Sequence, residues 1–266
     1  MNNVKRKFRV SNKVQWMLSV ILFVAFVAIV IIGNNKFQGR TFEPTEPNVV
    51  VKADEQKDNL KNKVMVAFGD SVTEFGKYPD IVSNNTKMKV YNIGFGGTRI
   101  AHHTDDYYDR FSLTRLLDAI ETGDFGDQEN AVASDNNSFS PKFKLHFKNL
   151  KNIDFTKVDF ISIFLGTNDY MGTRDGIVPV GDIEDTTRET FNGGINYAVN
   201  KIREINPDIE IIFITPTWRM NNEILGGGSS SEKPNSEGYF LTEYVDALIE
   251  QGKKHDIPTL DLYRNS

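Results

Sequence analysis

From Lys63 onward, short apolar runs alternate with longer stretches whose apolar residues recur at helical spacing. The runs are Val64–Phe68, Val90–Ile93, Phe160–Leu165, Ile209–Thr215 and Pro258–Leu262. Each has strand length, is rich in β-branched or aromatic residues, and ends at a turn or helix-start signal. Between the third and fourth runs, "TTRETFNGGINYAVNKIREINP" places Ile195, Val199 and Ile202 on one helical face before Pro207 stops it. Between the fourth and fifth, "YFLTEYVDALIEQGKK" is again amphipathic. Continuous apolar strands leave no face for water. Alternating with helices, they predict an α/β fold with a parallel sheet covered on both sides.

Two segments break the alternation. Residues 122–159 are rich in Asp, Asn, Ser and Gly, and residues 218–237 include "GGGSSSEKPNSEG". Both are expected as long loops near the C-terminal edge of the sheet, where open α/β sheets bind ligands.

The longest apolar stretch lies apart from this pattern. Residues 14–32, "VQWMLSVILFVAFVAIVII", match the roughly 20 residues a helix needs to cross a bilayer. No small-residue cleavage site follows, so a retained anchor is expected rather than a signal peptide. Lys5, Arg6, Lys7, Arg9 and Lys13 precede the span, whereas Lys36 and Arg40 follow it. That asymmetry places residues 1–13 in the cytoplasm and the rest outside. Residues 33–62, polar and carrying Pro44 and Pro47, are expected as a linker, and residues 63–266 as the domain.

Composition narrows the function classes. The net charge is −5, which gives no electrostatic footprint for nucleic acid. With no cysteine there is no disulfide, thiolate metal site or cysteine nucleophile.

Candidate chemistry gathers at the strand ends. The first run leads into "GDS", which sets Ser71 where a helix would begin; its plain alternative role is a helix N-cap. The second run ends in "YNIGFGGTR", whose Gly94, Gly96 and Gly97 let backbone approach a ligand closely. The third ends in "FLGTNDY", with Asn168 and Asp169 at the same edge. A serine, a backbone N–H from a glycine turn and an asparagine amide are groups that stabilise a developing oxyanion.

"FGDSVT", "NIGFGGT" and "LGTND", in this order and each after a strand, resemble the first three blocks of the SGNH (GDSL) hydrolase family over residues 63–262. The resemblance implies a three-layer α/β/α sandwich with a flavodoxin-like, five-stranded parallel sheet. It implies ester hydrolysis with Ser71 as nucleophile, and an oxyanion hole from the Ser71 and Gly97 N–H groups and the Asn168 amide, without a cofactor. Asp70 and Asp169 then serve the turns. Given the expected location, an O-acetylated cell-surface glycan is the favoured ester. The family's last block, Asp-x-x-His, supplies a general base after the fifth strand. Here "IPTLDLY" is followed by Arg264, Asn265 and Ser266 alone, so the domain is expected to be incomplete as given.

Among the other histidines, His102 and His103 follow the glycine turn and are expected to be structural or solvent-facing. His146 stands beside Lys144 and Lys148 and is expected at the surface, and His255 at the opposite end of the sheet. Two other classes compete: a degenerate domain that binds acyl or glycan ligands without turning them over, and a flavodoxin-like nucleotide binder. The second wants a phosphate loop that "GDSVTEFGK" does not supply.

Overall fold

A computed structural model of the chain describes residues 60–102, 108–134, 138–172, 176–220 and 227–265. The expected N-terminus (1–13), membrane span (14–32) and residues 33–59 of the linker lie outside the described residues. No helix among the described residues is long and apolar enough to cross a membrane.

The five apolar runs form five strands: β1 (Val64–Gly69), β2 (Lys89–Gly94), β3 (Phe160–Phe164), β4 (Glu210–Ile214) and β5 (Thr259–Leu260). They lie in one sheet in the order β2-β1-β3-β4-β5. All pairings are parallel; Val64 stands opposite Lys89, and Gly69 opposite both Gly94 and Phe164. The order reverses between β1 and β3, the switch point at which such sheets open a ligand crevice.

Along the strands, successive side chains point to opposite faces. Val66, Phe68, Ile161, Ile163, Ile211 and Phe213 enter one buried cluster, while Met65, Ala67, Phe164, Ile212 and Ile214 enter another. Both faces are therefore dry, and for that reason the runs are continuous rather than alternating. Burial of each such side chain contributes roughly 1.5–3 kcal/mol.

The helices are α1 (Ser71–Phe75), α2 (Tyr78–Thr86), α3 (Leu113–Thr122), α4 (Gly126–Ala133), α5 (Pro141–Leu150), α6 (Thr167–Met171), α7 (Phe191–Ile205), α8 (Leu241–His255) and α9 (Leu262–Asn265). The Thr190 hydroxyl caps α7 by accepting the Gly193 N–H at 3.1 Å. Ile195, Val199 and Ile202 are buried, as their spacing requires.

Three expectations need correction. The 122–159 segment is not a plain loop: it folds into α4, α5 and a 3-10 turn over Phe155–Lys157. Ser140 caps α5 by accepting the Phe143 N–H at 3.0 Å, and Pro141 holds the first helical position. Phe143, Phe147 and Leu150 then fall on one buried stripe. The fifth run yields only a two-residue strand, because the Thr215 hydroxyl accepts the N–H groups of Leu262 and Tyr263 and turns the chain into α9. The described parts of 218–237 also carry structure. Met220 bridges Ser229, and the Asn235 amide donates to the Tyr170 carbonyl at 2.9 Å.

Candidate active site

The crevice is built from the turns that follow β1 and β2, to which the turn after β3 is tied. After β1, the Asp70 carboxylate caps α1 by accepting the Val72 N–H at 2.8 Å. The capping role thus falls to Asp70, and the exposed Ser71 is released from it. Among the described residues, neither the Ser71 hydroxyl nor its N–H has a hydrogen-bond partner.

After β2, the chain turns through Gly94, Phe95, Gly96 and Gly97. A Cβ on Gly94 would lie 2.3 Å from the Glu74 nitrogen, so only glycine lets α1 rest directly on the strand end. Asn92 locks this approach: its amide donates to the Thr73 carbonyl at 2.9 Å while its oxygen accepts the Gly94 N–H at 3.0 Å. Gly97 has φ +85, a left-handed conformation that glycine adopts without strain. Its N–H has no acceptor among the described residues.

After β3, Gly166 leads into α6, which carries Asn168 and Asp169. The buried Asn168 amide donates to the Thr98 carbonyl at 2.9 Å, next to Gly97 in the chain. Asp169 is fully buried and accepts the Ile100 and Ala101 N–H groups, each at 3.1 Å. The third turn is thereby tied to the glycine turn. Burial pushes the Asp70 carboxyl up to about 7 and the Asp169 carboxyl up to about 6.

A cavity of about 250 Å³ opens beside Ser71. Ser71, Glu74 and Phe75 of α1 form one wall, Gly96 and Gly97 the floor, and Tyr108, Ser138, Ser140 and Phe143 the far side. The structure therefore brings Ser71 and Gly97 together on one cavity. Asn168 is not among its lining residues; it is joined to the site through Thr98.

Several site residues were not foreseen. Glu74 lies in the quoted stretch itself, three positions after Ser71, a spacing that puts two helical residues on one face. It is 2 % exposed; one carboxylate oxygen accepts the Gly96 N–H at 2.6 Å and the other accepts the Ser140 hydroxyl. The Ser-Pro start of α5 and its Phe143–Phe147 spacing would have disclosed the far wall.

No described histidine lines the cavity. The Arg115 guanidinium donates to His102 Nε2 at 2.7 Å, and His102 lies 3.7 Å from Asp109. His146 is buried, not at the surface: it follows Phe143 by three positions on the inner face of α5. Its Nδ1 donates to the Gly94 carbonyl at 2.8 Å. His255 meets the Asn196 oxygen at 2.8 Å, and burial holds its pKa below the usual histidine value. His103 lies outside the described residues.

Fold and site together define a parallel α/β protein whose Ser71 hydroxyl, without a partner among the described residues, borders a cavity at the C-terminal edge of the sheet. No family model and no curated protein matches the chain. One solved structure matches at 21 % identity over 77 % of this chain and 80 % of its own, with a TM-score of 0.55. A Lactobacillus plantarum protein matches at 21 % identity over 77 % of this chain and 79 % of its own, with a TM-score of 0.51. These two share the fold. A possible lipase from Chitinophaga pinensis aligns at 22 % identity over 75 % of this chain and 67 % of its own, with a TM-score of 0.47.

Proposed function

We propose that the domain is an SGNH-type serine ester hydrolase, with Ser71 as nucleophile and a short-chain acyl ester of a glycan as substrate. One observation carries the reading: Ser71 and Gly97, each with an N–H unspent among the described residues, line the same cavity. The Ser71 oxygen attacks the acyl carbonyl and the carbonyl oxygen becomes an oxyanion held by the two N–H groups. The family resemblance assigns a third donor to the Asn168 amide, which is tied to the glycine turn through the Thr98 carbonyl. The alcohol leaves with a proton, and water then releases the acid from the acyl-enzyme. The proton of Ser71 goes to a base that the family resemblance assigns to an Asp-x-x-His loop following the fifth strand. A small cavity bordered by Phe75, Tyr108, Ser138 and Ser140 offers aromatic faces and hydroxyls, the groups that contact a sugar ring and a short acyl chain. The apolar segment 14–32 and its basic flank support an anchored domain outside the membrane.

A binding module is the second reading, favoured because no described histidine lines the cavity. The two separate in one experiment. The full chain and its Ser71→Ala variant are given an acetyl ester and a fluorophosphonate probe. Turnover and covalent labelling at Ser71, both lost in S71A, establish the hydrolase. Acetylated-glycan binding that S71A leaves intact, without labelling or turnover, establishes the module instead.

A further inference from the structure

Among the described residues, Glu74 is the only carboxylate on the cavity wall, and both its oxygens are engaged. One holds the Gly96 N–H, immediately before Gly97, which lines the cavity and whose N–H has no acceptor among the described residues. The other holds the hydroxyl of Ser140, the residue that caps α5. A second tie runs between the same two elements, from His146 of α5 to the Gly94 carbonyl at 2.8 Å. The glycine turn is thus gripped at Gly94 and at Gly96, and both grips reach α5.

We propose that Glu74 is a positioning residue of the Ser71 site: its carboxylate clamps the Gly96 amide and the α5 cap together, which fixes the Gly97 N–H relative to Ser71 and closes the far wall of the cavity. The catalytic side of this proposal rests on the hydrolase reading above; the clamp itself does not. The geometry separates this role from that of a proton acceptor, because Glu74 makes no hydrogen bond to Ser71 and its two oxygens already serve other donors. A buried carboxylate accepting two hydrogen bonds is strongly directional, since each bond has a charged partner.

The isosteric amide distinguishes the alternatives. In Glu74→Gln, the side-chain oxygen accepts the Gly96 N–H and the NH2 group donates to the Ser140 oxygen, so the clamp is kept while the charge is lost. In Glu74→Ala both ties go. The full chain and its E74Q, E74A and S140A variants are compared by amide hydrogen exchange of the 94–98 segment and by kcat and KM on a small acetyl ester. In E74A, exchange at 94–98 should quicken roughly ten- to hundredfold, the range spanned by loss of a hydrogen bond to a charged group. kcat should fall by a similar factor, with KM moving less. E74Q should recover more than half of both losses on a logarithmic scale, and S140A should fall between wild type and E74A.

Unchanged exchange in E74A overturns the clamp. Failure of E74Q to recover kcat while exchange stays protected overturns the positioning role and makes the charge itself the requirement. If E74A does not fold, S140A and E74Q decide the matter in the same way. Should the wild-type chain turn over no ester, the exchange measurements still test the clamp, and the loss then belongs to the hydrolase reading.

Discussion

On one face of the sheet, side chains of α3, α5, α7 and α8 close over Val66, Phe68, Ile161, Ile163, Ile211 and Phe213. On the other, α2 and α9 cover Met65, Ala67, Phe164, Ile212 and Ile214. The first face is thick and aromatic. Phe143 alone packs on Phe95, Phe111 and Phe139, with ring centres 4.7, 4.8 and 4.1 Å away. Among the described residues, the second face is covered by one helix of ordinary length and one of four residues. The difference teaches where the site draws its rigidity. α5 belongs to the thick face and also walls the cavity, so core packing and site geometry are one construction there. The thin face carries stability without touching the site, and substitutions on the two faces should therefore separate in their effects.

The largest effect is expected from Phe143→Ala. Its ring is 1 % exposed, and removing a buried aromatic costs about 3–5 kcal/mol. For a domain of this size that lowers the thermal midpoint by about 6–20 °C. Because the same ring lines the cavity, ester turnover or ligand binding should fall along with stability. A variant that loses the stability yet keeps full activity would break the coupling between core and site.

The second effect is a pH dependence seated under the site. Burial, helped by the Asp169 charge and opposed by Arg219, raises the folded-state pKa of Asp70 to about 7. Asp169 rises to about 6, again chiefly by burial. Each binds its proton more tightly folded than unfolded, so the folded state holds more protons between about pH 4 and 7. Stability is accordingly fully present below the unfolded pKa and is lost as the pH rises through the folded value. In Asp70→Asn the amide oxygen can still accept the Val72 N–H, but the titration is gone. The unfolding free energy from urea titrations between pH 4 and 8 should fall with pH in the wild type, by an amount on the order of a few kcal/mol. The fall should be visibly shallower in D70N, whereas equal slopes would show that Asp70 does not titrate in this range. Glu210 is likewise pushed up to about 7 by burial, but it stands at the far end of β4 and is unaffected by this substitution.

Much of this architecture was legible in the chain. The five apolar runs became the five strands, because a strand buried on both faces can carry no polar alternation. Ser71 and Gly97 came to one cavity because their turns follow neighbouring strands in a parallel sheet, which puts both at the same edge. What escaped was information held between elements. The inner stripe of α5 was hidden by the Asn, Asp and Ser residues before it, and His146 was misplaced through its lysine neighbours, although its own spacing from Phe143 points inward. The role of Glu74 needs Gly96 and Ser140 as partners, 22 and 66 positions away, and no local pattern encodes such a meeting. Asn168 is the intermediate case: its turn was foreseen, but its bond to Thr98 depends on how β2 and β3 flank β1.

The smallest effect tests the thin face. Thr215 is fully buried at the end of β4, and its hydroxyl accepts the N–H groups of Leu262 and Tyr263 at 2.9 and 3.2 Å. These two bonds start α9 and seat Leu262 against the second cluster. Thr215→Val keeps the shape and removes the acceptor, leaving buried donors unpaired at a cost of about 1–3 kcal/mol. Since α9 does not line the cavity, the urea midpoint should fall while the Ser71 and Gly97 side of the site keeps its geometry. Hydrogen exchange should quicken at residues 259–265 and stay unchanged at residues 94–98. If exchange quickened at 94–98 as well, the two faces would be mechanically coupled, and the separation drawn between them would fail.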